Sequence, residues 1–164
     1  MKNLKRLSLI LATVMMLFTL TACSSQPTTP TVTNPETNTS TTSKGEVELV
    51  NQDGVKITLI GGLDTKSSYF GPELKLRVEN NSGHNITVQS RKTSVNGCTM
   101  GDFGAVMSID VTNGEKAYGT FTLYRSKLED AGITTIKTIK TSFLVFDSDS
   151  WNNLFDTDLI TISF

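Results

Sequence analysis

Four aspartates crowd one stretch near the C-terminus: Asp147, Asp149, Asp156 and Asp158, with Asn152 and Asn153 among them and no basic residue between. Carboxylate and amide oxygens suit a hard cation. Asp147, Asp149 and Asp158 stand at positions 1, 3 and 12 of a calcium-loop spacing and are the candidate calcium ligands. The match is incomplete. Position 5 is Trp151, position 6 is Asn152 where the loop needs glycine, and position 12 is Asp rather than the longer Glu. The competing reading is structural: Asp147 ends a strand, a turn over 150–155 covers the core edge, and Asp158 begins the last strand. Trp151 is the one tryptophan. It reads as a ring that plugs the end of the domain, with a contact residue on a loop as the alternative. His84 is the one histidine. A Ser–His–Asp relay would have to use it, but it follows Ser82-Gly83 in a turn, and no Gly-x-Ser-x-Gly elbow exists.

The two cysteines differ in setting. Cys98 follows Val95-Asn96-Gly97 with no histidine near it in sequence. It reads as a small buried or inert residue rather than a nucleophile, with an intermolecular disulfide as the alternative. Cys23 closes a different pattern. Lys2, Lys5 and Arg6 precede an uncharged apolar run from Leu7 to Leu20, which is too short for a membrane span and has the order of a secretory signal peptide. Leu20-Thr21-Ala22-Cys23 resembles the bacterial lipobox. That resemblance implies a diacylglyceryl group on the Cys23 thiol, cleavage before Cys23, and a mature protein anchored in the lipid bilayer outside the cytoplasm. Anchoring of this kind needs more than one acyl chain to be stable. Loss of residues 1–22 removes three basic groups and leaves a net charge of −4, so the anchor gains no electrostatic help from anionic lipid.

Charge balance, with 15 basic and 16 acidic residues, excludes a nucleic-acid partner held by phosphate neutralisation. Residues 23–45 read as the lipidated cysteine and a linker. Ser and Thr dominate, Pro27, Pro30 and Pro35 interrupt, and Val32 is the clear hydrophobe, so ordering entropy is not offset by burial. Such a linker reads as a stalk that lifts a domain from the membrane.

Residues 46–164 carry a period of two. Val55, Ile57 and Leu59; Leu74, Leu76 and Val78; Met107, Ile109 and Val111; Phe121 and Leu123; and Ile160, Ile162 and Phe164 each alternate with polar residues. Phe143-Leu144-Val145-Phe146 is apolar on both faces, as a covered central strand would be. Asp53-Gly54, Asn96-Gly97 and Asn113-Gly114 mark turns. Ser126 with Glu129 reads as a helix capping box and Gly132 as a stop, giving one short helix that crosses between sheets. These signals predict an all-β, immunoglobulin-like antiparallel sandwich of about seven to nine strands, with a small barrel as the alternative. The 46–50 and 159–164 segments are the expected sheet edges.

Several segments together resemble a group of surface lipoproteins of clostridia and related Firmicutes that carry an immunoglobulin-like domain of unknown function. They are the turn Glu79-Asn80-Asn81-Ser82-Gly83, the strand Asn85 to Gln89, Ser94-Val95-Asn96-Gly97, Gly54 to Thr58, and Phe143 to Trp151. Cys98 departs from that pattern, which favours an apolar residue there. The resemblance implies no catalytic residues. The expected function is a membrane-anchored, non-catalytic binding domain without a cofactor, meeting a protein or cell-wall partner. The alternatives are an accessory subunit of a transporter or sensor complex, a calcium-stabilised adhesive domain, and a small hydrolase.

Overall fold

The computed structural model describes residues 31–33, 45–66, 68–101 and 103–164. The expected signal peptide, Cys23 and most of the expected linker lie outside the described residues. The strands are β1 (Thr31–Thr33), β2 (Glu46–Gln52), β3 (Val55–Asp64), β4 (Glu73–Asn80), β5 (Ile86–Val95), β6 (Cys98–Thr99), β7 (Ala105–Val106), β8 (Ser108–Val111), β9 (Lys116–Leu123), β10 (Thr138–Asp147), β11 (Asn153–Asp156) and β12 (Ile160–Ser163). One helix, α1 (Arg125–Asp130), lies between β9 and β10.

The strands form two antiparallel sheets. One runs β1-β12-β10-β5-β6, with β11 also paired to β10 and β8 to β5. The other runs β2-β3-β4-β9-β7. Both sheets have open edges, so the fold is a sandwich and not a closed barrel. The number of strand segments exceeds the expected seven to nine because short pieces, such as two-residue β6 and β7, flank the long strands. Alternation places Val55, Ile57, Leu59, Leu76, Val78 and Phe121 from one sheet against Val88, Ile139, Phe143 and Val145 from the other, all buried in one core. Each such side chain contributes about 1.5–3 kcal/mol by leaving water. The central position of β10, between β5 and the β12/β11 pair, explains its apolar character on both faces.

The turns at Asp53-Gly54 and Asn96-Gly97 have positive φ at both residues (49° and 80°, 50° and 84°), the conformation that matches the twist of a two-residue hairpin. Helix α1 crosses between the sheets as expected, but its start differs. Tyr124 occupies the N-cap without a side-chain cap, and Ser126 lies inside the first turn. Gly132 does end it, at φ 67°, with the Ile133 and Gly132 amides donating to the Leu128 and Glu129 carbonyls.

Two expectations about the margins change. Thr31–Thr33, within the expected linker, forms β1 and pairs antiparallel with β12, Thr31 opposite Ser163 and Thr33 opposite Thr161. The last strand is therefore covered and is not a sheet edge there. A β-rich tripeptide, Thr-Val-Thr, needs only an unpaired backbone ladder to satisfy its own amides. β2 is an edge, as expected. Its first residue is held across β3 by Arg77 of β4, whose guanidinium makes two bonds to Glu46 (2.9 and 3.0 Å) and one to Glu79 (3.2 Å). The Glu46 bonds raise the Arg77 pKa further above its ordinary value. Glu46, Glu48 and Glu79 thus serve as ion-pair partners on an outer face.

Candidate functional site

Four connections meet at one end of the sandwich: the turn at Asp53-Gly54, residues 81–85 between β4 and β5, residues 112–115 between β8 and β9, and residues 148–152 after β10. Asn80 is the fully buried hub beneath them. Its amide nitrogen donates to the His84 and Val111 carbonyls at 2.8 and 2.9 Å. Its amide oxygen accepts from the Ser82 amide and hydroxyl at 3.0 and 2.7 Å. The Gly83 amide donates to Asn113 Oδ1 (2.9 Å), and the Asn113 amide donates to Asn85 Oδ1 (3.1 Å). Short amide side chains suit this role because they hold both donors and acceptors close to the backbone.

Asp147 organises the outer layer. One carboxylate oxygen accepts the Asp149 and Ser150 amides at 2.8 and 3.0 Å. The other lies 2.9 Å from His84 Nδ1. The Ser150 and Asp149 amides, with His84 adding to them, hold the Asp147 pKa below its ordinary value. Asp149 in turn accepts from the Asn85 amide at 3.0 Å. Both aspartates are therefore committed to the protein's own donors. Asp158 is not brought to them. Its neighbour Thr157 donates its amide to the Phe143 carbonyl, four residues back along β10 from Asp147, and β12 starts only at Ile160. Among the described residues no cluster of three His, Cys, Asp or Glu side chains could hold a metal. The calcium-loop spacing is thus not realised: a strand end, β11 and a second turn separate its first and last positions.

Trp151 is not a plug. It is 76% exposed and adopts φ 62°, a left-handed conformation that is uncommon for a bulky residue. Its amide donates to the Asp147 carbonyl (2.8 Å), and the Asp147 amide donates to the Asn152 carbonyl (2.9 Å), so the bend is fixed on both sides. The indole stacks on Phe146, with ring centroids 5.6 Å apart and planes 19° from parallel. Phe146 is buried but stands outside the main core cluster. Trp151 thus shields an apolar ring on the outer side of β10 and leaves its other face to solvent.

His84 is half-exposed. It and Asp147 have the spacing of two members of a catalytic relay. Among the described residues no serine hydroxyl or cysteine thiol is hydrogen-bonded to the His84 ring, and a nucleophile so placed is what such a relay needs. With both carboxylates so engaged, the surface this end offers is the exposed face of the Trp151 indole. Cys98 lies at the other end of the sandwich and is exposed, not buried, because β6 is a two-residue edge piece with both residues exposed.

A second concavity, a shallow depression of about 470 Å³, lies on the outer face of the β10–β5 sheet between Arg91, Lys92 and Thr99 on one side and Leu144, Asn153 and Asp156 on the other. Lys92 has φ 48° where two residues of β5 oppose Thr141, a β-bulge.

The hub role of Asn80 and the Asp147–His84 bond escape a reading of sequence. The only local signal was the density of Asn, Ser and Gly at 80–85. No protein-family model and no curated protein matches the chain.

Proposed function

We propose that this protein is an extracytoplasmic lipoprotein, anchored to the cell membrane through acylated Cys23, and that its sandwich is a non-catalytic binding domain whose contact surface is the Trp151 end. One observation carries the reading: an exposed indole held on strained left-handed backbone that Asp147 fixes from both sides. Strain of this kind costs about 1–3 kcal/mol and persists where surrounding structure over-determines it, as it does at binding sites. Exposed tryptophan is also the side chain most enriched among residues that dominate interfaces. The anchor is supported by the Leu20-Thr21-Ala22-Cys23 pattern behind a basic and apolar leader. The partner class is a membrane or cell-wall protein.

The test is photo-crosslinking in cells on the full chain, with probes at Gly83, Asn113 and Asn152. These positions converge at the Trp151 end. A control probe goes at Ser126 in α1. The expected result is one protein captured from the three turns, absent from the control, and lost in Trp151→Ala. Capture that is the same with Trp151→Ala, or none at all, overturns the contact surface. Thiol titration of the denatured protein tests the anchor independently: one reactive thiol, Cys98, is expected, and two would refute acylation of Cys23.

A further inference from the structure

The end opposite Trp151 carries a different surface. Tyr69, Phe103 and Phe70 are 93%, 78% and 60% exposed there. Tyr69 and Phe70 meet edge to face with centroids 5.8 Å apart, and Phe70 meets Tyr124 at 6.2 Å. Backbone bonds fix both loops against the start of α1: the Arg125 amide donates to the Phe70 carbonyl (2.8 Å) and the Tyr124 amide to the Gly104 carbonyl (2.9 Å). Gly71, at φ 150°, passes so close to the Leu123 carbonyl that a Cβ would collide with it. The aromatic side chains are therefore presented by a braced backbone. Exposed Lys66 and Arg125 flank them.

The chain enters the domain at this same end. Thr31 pairs with Ser163, and Ser163 pairs with Thr138, the first residue of β10. The end of β10 at Asp147 carries the Trp151 turn. Cys23 precedes Thr31 by eight residues, a reach of at most about 28 Å even if fully extended. With β1 joined to the sandwich, the tether is far shorter than a stalk running to Lys44.

We propose that the Tyr69–Phe70–Phe103 end seats on the surface of the bilayer that holds the Cys23 anchor, which turns the Trp151 end outward. This inference rests on the lipidation reading. Tyrosine beside Lys and Arg is the composition that favours the lipid headgroup region, where a ring finds apolar and polar surroundings together. A single short tether also raises the local concentration of bilayer at this end, so weak aromatic contacts suffice.

Cys98 supplies a native probe, since it is exposed and follows the Asn96-Gly97 turn at this end. The lipidated protein, purified from membranes, is placed in vesicles of equal parts phosphatidylglycerol and phosphatidylcholine and nitroxide-labelled at Cys98. Its intact mass reports the lipid on Cys23. The expected result is a label shielded from an aqueous nickel relaxant, with shielding reduced severalfold when Tyr69, Phe70 and Phe103 are all serine. Trp151 fluorescence should escape quenching by nitroxide lipids in both forms. Should the triple variant not fold, Tyr69→Ser alone, at a nearly fully exposed position, must still reduce the shielding. A lipidated protein whose label is equally accessible with and without the aromatics overturns the seat and leaves the anchor standing. An unmodified Cys23 overturns the anchor and the seat with it. Dipolar broadening between Cys98 labels means a second copy covers this face, which also overturns the seat.

Discussion

His84 Nδ1 lies 2.9 Å from Asp147 Oδ2, joining two turns that are 63 residues apart in the chain. The same carboxylate caps the bend that carries Trp151. One aspartate thus ties the β4–β5 connection to the exposed indole, and disturbing it should reach both.

Stability should fall in acid through Asp147. Its folded pKa is held below the ordinary 3.8, chiefly by the Ser150 amide. The contribution is complete above that ordinary value and is lost as pH drops through the lower folded value. Urea unfolding followed by circular dichroism between pH 6 and about pH 2.5 should show this loss in the parent and a flatter profile in Asp147→Asn. Identical profiles would refute the role of the carboxylate.

Trp151 should tolerate glycine better than alanine. Left-handed backbone penalises a Cβ by about 1–2 kcal/mol, while both variants lose the stacking on Phe146 equally. Trp151→Gly should therefore be about 1 kcal/mol more stable than Trp151→Ala in denaturant titrations. The reverse order would mean that the bend relaxes once the indole is gone.

Asn80→Ala should be among the most damaging single changes. It removes two donated and two accepted hydrogen bonds at a fully buried position and leaves the Val111 and His84 carbonyls without that donor. A loss of about 3 kcal/mol is expected. Amide exchange should speed up first in residues 81–85 and 112–115.

Thr58→Val should stabilise the domain. The Thr58 hydroxyl is buried on β3 and has no hydrogen-bond partner among the described residues. Replacing it with a methyl group of similar shape should add about 1 kcal/mol. A destabilised variant would show that the hydroxyl has a bound water.

Much of the architecture was written in local patterns. Alternation at Val55–Leu59, Leu74–Val78 and Phe121–Leu123 sets which face is buried, because a strand turns successive side chains to opposite sides. Asp-Gly and Asn-Gly set the hairpins through their tolerance of positive φ, and Gly132 stopped α1 for the same reason. The Asp- and Asn-rich stretch at 147–158 marked one side of the site, while the Asn80 hub beneath it had no such mark. The leader, the lipobox pattern and the expected anchor at Cys23 belong wholly to the sequence.

Contacts between distant segments were decided only by folding. Spacing alone suggested that Asp147, Asp149 and Asp158 could share an ion, yet β11 and its following turn carry Asp158 away, while His84 and backbone amides occupy Asp147. Trp151 looked like a plug because tryptophan is large and apolar, but the Asp147 bonds bend its backbone outward and leave Phe146 to fill the space beneath. Cys98 looked buried, and the brevity of β6 exposed it. Thr31–Thr33 looked like linker until β12 offered an unpaired edge. In each case the outcome depends on which strand end or edge lies opposite. That is a property of the assembled sheets, and no residue carries it in its own identity or in its neighbours along the chain.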